Sequence, residues 1–209
     1  MTILLPMYVH PLEDPDAWAT LPAYAGSVTA VVNVHDGPGE GLDGTYRVVT
    51  ETLRGAGVDM IGYVDLDYGA RDRGDVRRDI AGWGRYPVSG LFFDRVAADA
   101  SGLDGVARTV RAAGCPVVLN PGTRPHPGYA GLAATVCTFE GPWSTYRAAA
   151  TRRDWANAAH LVYGVPVAAL DEAESLIWQR VSCGLVTDLA GANPYRGLPA
   201  NLRRGAGTR

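Results

Sequence analysis

Eight short runs of apolar and β-branched residues recur along the chain: ILLPMYV from Ile3, VTAVVNV from Val28, MIGYVDL from Met60, GLFFDRV from Gly90, PVVLNPG from Pro116, TVCTFE from Thr135, HLVYGV from His160 and GLVTDL from Gly184. Their starts lie roughly 20 to 32 residues apart, which is room for a strand, a loop, a helix and a return loop. Continuous apolar runs, rather than alternating ones, belong to strands buried on both faces, and those occur in parallel sheets covered by helices. Helical stretches with suitable punctuation lie between them. Ser101 opens an SGLD capping pattern with Asp104, and Leu103, Val106 and Val110 follow at helical spacing while Arg108 and Arg111 take the outside. In LDEAESLIWQRV, Leu170, Ala173, Ile177 and Val181 form a second stripe, with Asp171, Glu172 and Glu174 early, where they complement the helix dipole. Eight such units predict an α/β fold, a compact (β/α)8 TIM-type barrel in a single domain, 1–202. A chain of 209 residues is short for that fold, so several helices must be brief or replaced by loops, above all after the first and fifth strands. Residues 203–209 are expected to form a disordered tail.

Composition narrows the chemistry. All 19 basic residues are arginine and lysine is absent. Schiff-base catalysis, a phosphate-binding P-loop lysine and lysine as a general base are thereby excluded, since each requires an amine. The net charge of −3 supplies no electrostatic footprint for nucleic acid or an anionic membrane, so neither partner is expected. Cys115, Cys137 and Cys183 each fall at or within an apolar run and no CxxC occurs, which suits core packing in a reducing compartment. The N-terminal MTILLPMYVHPLEDP lacks a basic segment and a long apolar one, and no stretch reaches the roughly 18 apolar residues of a membrane span. A cytoplasmic location is expected on those grounds.

In a barrel of this kind the active site lies at the C-terminal ends of the strands, and all eight exits here carry polar groups. They are Tyr8 and His10; Asn33 and His35; Asp65, Asp67 and Tyr68; Asp94 and Arg95; Asn120; Glu140; Tyr163; and Thr187 with Asp188. The strand starts are far poorer in polar residues, and this gradient predicts a pocket at one end. Asp65 and Asp67 share a face by the period of two and can orient hydroxyls of a ligand or cap the following helix. Asp94 and Glu140 sit on different strands behind aromatic residues, the arrangement that lets burial hold one carboxyl protonated while a hydrogen-bonded partner stays ionised. Paired carboxylates of that sort are the raw material of glycoside hydrolysis. Tyr8, Tyr68, Trp143 and Tyr163 could stack on a sugar or another ring. Nothing calls for a cofactor: the GPG at 37–39 lacks both phosphate-loop spacings, and His10, His35, His126 and His160 show no metal-ligand spacing. His160 is expected to be structural.

The segments LPMYVHP, NVHDGPG, GYVDLDYGARDRGDVRRDI, GLFFDRV, VVLNPGTRP, CTFE and TDLAGANPYRGLP occur in the order and spacing of the spherulin-4 (spherulation-specific) family, which the chain resembles from about Leu4 to Pro199. The resemblance implies a (β/α)8 barrel and an activity similar to that of endo-acting glycoside hydrolases that cut galactosamine-containing polysaccharide. It also implies catalysis by the acids at the exits of strands four and six, here Asp94 and Glu140. The usual family pattern at strand four is FFDE, and this chain has Arg95 in place of the second acid. An Arg95 turned into the pocket, the favoured orientation, would clamp a carboxylate or other anion and depress a neighbouring carboxyl. That orientation suits a second reading: a cytosolic lyase, isomerase or cyclase of specialised metabolism acting on a small anionic molecule. In either reading the ligand is a glycan or small molecule, with Tyr8, His10, Asn33, Asp65, Asp67, Arg95, Asn120, Trp143 and Tyr163 as the binding residues.

Overall fold

The computed structural model describes residues 1–149 and 152–206. Eight strands, β1 (Thr2–Met7), β2 (Val28–Val32), β3 (Asp59–Asp65), β4 (Gly90–Asp94), β5 (Val117–Leu119), β6 (Thr135–Pro142), β7 (Ala158–Tyr163) and β8 (Cys183–Val186), close into a barrel in chain order. Every neighbouring pair is parallel, including the β1–β8 seam at Thr2 and Cys183. The expected (β/α)8 barrel is the observed fold, and each of the eight apolar runs is one of its strands. Leu4, Val31, Val64, Phe93, Val136 and Val162 are each at most 1 % exposed, as strands covered on both faces demand.

The helices are α1 (Pro15–Thr20), α2 (Gly44–Gly55), α3 (Arg73–Gly82), α4 (Leu103–Ala113), α5 (Trp143–Ala148), α6 (Leu170–Arg180) and α7 (Ala200–Ala206). The chain is shortened where expected: α1 has six residues, and β5 is followed only by a 3-10 turn at Pro127–Gly131. No helix among the described residues is long and apolar enough to cross a membrane. Two local expectations change. The cap before α4 is Asp99, which accepts the Gly102 N–H at 3.1 Å and the Ser101 hydroxyl at 2.7 Å, so a 3-10 turn precedes the helix and Ser101 is not its cap. The expected disordered tail begins too early, because α7 continues through residues 203–206. Arg203 pairs with Asp14 at 2.9 Å, and the buried Leu202 accepts a hydrogen bond from Tyr24 through its carbonyl. Residues 207–209 lie outside the described residues.

One irregularity in the wall decides the site. Across β6 and β7, Cys137 pairs with Ala159 and Phe139 with His160, so Thr138 is an extra residue, a β-bulge. A regular strand would point Thr138 and Glu140 to the same side. With the bulge, Cys137 joins the main core and Glu140 reaches the barrel mouth, while Thr138 and Phe139 face outward toward His160 and Tyr146.

Candidate active site

β4, β5 and β6 deliver Asp94, Asn120 and Glu140 to the mouth, where one amide holds both acids. The Asn120 side-chain nitrogen donates to an Asp94 oxygen at 2.8 Å and to a Glu140 oxygen at 2.6 Å. Local chain chemistry fixes that orientation. In Asn120-Pro121-Gly122 the Asn carbonyl oxygen accepts the Gly122 N–H at 3.0 Å, an Asx turn that leaves only the amide N–H groups to face the acids. Gly122 takes φ +69, and the Glu140 N–H donates to its carbonyl at 3.1 Å. A glycine is needed there for the left-handed backbone.

The second oxygen of each acid is held by a tyrosine. Tyr63 donates to Asp94 at 3.1 Å and Tyr195 to Glu140 at 2.6 Å. Tyr8 lies between those two rings, edge-on to Tyr63 at 5.4 Å and to Tyr195 at 5.7 Å. Burial, and then the neighbouring Glu140 charge, push the Asp94 carboxyl up to about 6, against the Arg95 backbone N–H and the Tyr63 and Asn120 hydrogen bonds. Burial also raises the hydroxyls of Tyr8, Tyr63 and Tyr195, with the adjacent carboxylates adding to the effect. All three tyrosines therefore remain neutral donors.

Arg95 does not enter this cluster, which corrects the inward orientation expected for it. Its backbone is left-handed at φ 48, as are those of Asp67 and Tyr68 at 44 and 53. The chain turns away from the mouth directly after Asp94. The guanidinium grips both Asp65 oxygens, pairs with Asp67 at 3.1 Å and lies over the Tyr68 ring at 5.8 Å. Burial acts to raise Asp65, but hydrogen bonds from Arg95 and the Asp67 N–H, together with the charges of Arg95 and Arg71, hold it below the usual carboxylate range. The Asp65, Asp67 and Arg95 side chains thus form an ion-pair group on the rim, beside the paired acids.

The other expected binding residues divide by position. Tyr8 and Asn120 are in the cluster. His10 accepts the Leu12 N–H at 3.1 Å and packs edge-on to Tyr46, and Asn33 accepts the Gly37 N–H at 2.9 Å. Both shape loops above the barrel. Tyr163 is half-buried at the end of β7, paired with Pro142. Trp143 is corrected: it is 6 % exposed and packs on Tyr146 under the Arg147 guanidinium, because it begins α5 on the outer side of the wall. It offers no open face for stacking. Tyr63 and Tyr195 were absent from the expected set. Tyr63 shares the Asp65 face of its strand by the period of two, a signal available in the sequence, whereas Tyr195 comes from the loop after β8.

The sequence model of spherulation-specific family 4 matches residues 2–206. Spherulin-4 of Physarum polycephalum is 35% identical over 153 residues, 69% of this chain and 46% of that protein, so the chain matches about half the length of that relative. Among solved structures, Aspergillus clavatus Sph3 in complex with GalNAc superposes with a TM-score of 0.83 at 23% identity, over 99% of this chain and 96% of the other. At that identity the likeness speaks for the fold.

Proposed function

Because the chain belongs to spherulation-specific family 4, we propose that it is a glycoside hydrolase acting on amino-sugar glycans of the galactosamine type, with Asp94 and Glu140 as its two working carboxylates. The observation that carries this reading is the single Asn120 amide shared by both acids at 2.8 and 2.6 Å. The GalNAc held by the Aspergillus clavatus protein of the same fold supports the sugar class.

One amide within hydrogen-bond reach of both acids supports the close spacing of about 5–5.5 Å that goes with retention over the spacing of about 6.5–9.5 Å that leaves room for a water. Asp94, raised to about 6, is the general acid. The Tyr63 hydroxyl donates to Asp94 when that carboxyl is ionised and, able to accept as well as donate, tolerates its protonated form. Glu140, with a neutral donor on each oxygen, is the nucleophile. It attacks the anomeric carbon as Asp94 gives its proton to the leaving glycosidic oxygen. Asp94 then takes a proton from water as that water displaces Glu140 from the anomeric carbon. In this reading Tyr8 and the rim acids Asp65 and Asp67 orient sugar hydroxyls. The anion-binding reading rests on a free cation at the mouth, and Arg95 spends its guanidinium on Asp65 and Asp67.

Reducing-end release from galactosamine-rich polysaccharide tests the assignment. Glu140→Gln and Asp94→Asn are each expected to lower kcat by a factor of 100 or more, and proton NMR of the first-formed product to show retained configuration. Full activity in Glu140→Gln, or a product of inverted configuration, overturns it.

A further inference from the structure

On the outer side of the wall, where β6 and β7 meet α5 and α6, the chain forms a half-open cavity of about 370 Å³. It is lined by Arg124, Arg152, Arg153 and Arg180, with Asp154 and His160. Arg180 is the anomaly. It is only 3 % exposed, yet among the described residues no carboxylate lies within ion-pair distance of it. Two of its nitrogens donate to the carbonyls of Tyr146 at 2.9 Å and Ala149 at 2.6 Å, its plane lies over the Tyr146 ring at 4.2 Å, and among the described residues its Nε has no acceptor. A permanently charged group withdrawn from water with an unfilled donor is costly unless an anion completes it.

The one nearby carboxylate does not serve. Asp154 receives Arg124 at 2.7 Å, the Thr138 hydroxyl at 2.7 Å, the His160 ring at 3.1 Å and the Trp155 N–H at 2.7 Å. Burial holds His160 below its usual value, and the Arg180 and Arg124 charges add to this against Asp154. The ring therefore adds no charge near neutrality. Four guanidinium groups against one carboxylate leave the cavity strongly cationic.

We propose that this cavity is a second binding site, distinct from the barrel mouth, for a tetrahedral oxyanion of the phosphate or sulfate class seated on Arg180 and enclosed by Arg124, Arg152 and Arg153. Guanidinium forks match the geometry of such an oxyanion. The cavity volume exceeds that of the bare ion, so an ester carrying the oxyanion on a sugar or similar body also fits.

Isothermal titration of the full chain with inorganic phosphate, at an ionic strength held constant with chloride, tests the site. Saturable one-to-one binding is expected, weakened at least tenfold in the Arg152→Ala/Arg153→Ala variant, whose two side chains are exposed and whose fold circular dichroism verifies. Arg180→Gln is expected to abolish binding, and if that variant fails to fold the exposed pair decides alone. A parallel titration with a hexose 6-phosphate separates the sources: tighter binding than phosphate assigns the site to an ester, equal or weaker binding to the free ion. The absence of saturable heat with phosphate and sulfate, or unchanged affinity in the Arg152/Arg153 variant, overturns the proposal.

Discussion

Asn120 can hold Asp94 and Glu140 together because its carbonyl oxygen is already engaged by Gly122, and that arrangement brings two carboxylates close at a cost in stability. Asp94 carries the cost: the native protein holds its carboxyl at about 6, whereas an unfolded chain holds it near 3.9. A raised carboxyl favours the native state below the unfolded value, and the advantage is lost as pH rises through the folded one. Between about pH 4 and 7 Asp94 therefore makes the wild type progressively less stable, by roughly 1–3 kcal/mol in total. Asp94→Asn removes the titration. Its stability relative to the wild type is expected to be higher at pH 8 than at pH 5 by about half that amount, since the other half is already lost by pH 5, read from urea midpoints, and an equal difference at both pH values would contradict the burial of Asp94. Arg95 behaves oppositely. Its pairs with Asp65 and Asp67 lie on a rim where the arginine is 43% exposed, so Arg95→Gln should cost only about 1 kcal/mol or less and leave kcat within about twofold. A tenfold loss would return Arg95 to the chemistry. The acids at 94 and 140 were legible in the sequence because each follows an apolar run at a strand exit. The direction of Arg95 was not, because a left-handed residue after a strand leaves no mark on periodicity.

At the scale of elements, strands were easier to read than their details. A strand covered on both faces writes itself as an unbroken apolar run, which is why β1 to β8 stand out, but a one-residue bulge does not change composition. Period-two reading groups Thr138 with Glu140, and only the β6–β7 register shows that Thr138 belongs to the outer face. Trp143 was misread for a related reason: as the residue directly after β6 it begins α5, which carries it around the wall and buries it. Gly62 in β3 had no assigned role, yet α3 ends against it. A Cβ there would lie 2.2 Å from the Trp83 indole, whose N–H donates to the Tyr63 carbonyl at 2.8 Å. Neither the strand backbone nor the buried tryptophan can give way freely. Gly62→Ala is expected to destabilise by about 1–3 kcal/mol or more, as overpacking does, and to lower activity through Tyr63. An unchanged urea midpoint would show that the Trp83 packing is loose.

Across the whole molecule, a closed parallel barrel has no free edge, so the β1–β8 seam and the helices beside it determine whether the other seven strand pairings persist. The seam is short, pairing only Thr2 with Cys183 and Ile3 with Gly184. The segment after β8 reinforces it. Asp188 accepts the Ala200 N–H at 2.7 Å, Leu202 is 4 % exposed, and Arg203 and the Leu202 carbonyl reach back to Asp14 and Tyr24 beside α1. The same segment carries Tyr195, the donor on Glu140, so closure of the barrel and the setting of the Glu140 carboxylate depend on one stretch of chain. Ending the chain after Pro199 keeps Tyr195 but removes Leu202 and both links to the α1 side. Loss of a buried leucine with its surroundings is worth about 2–5 kcal/mol, and in a chain of this size each kcal/mol shifts Tm by about 2–4 °C. The truncated chain is therefore expected to melt about 5–15 °C lower by circular dichroism. Because Tyr195 is then anchored from one side only, kcat on the glycan should fall more than fivefold well below the new Tm. A lowered Tm with unchanged kcat would separate the two roles, leaving α7 as a clasp on the seam and Tyr195 held by its own contacts.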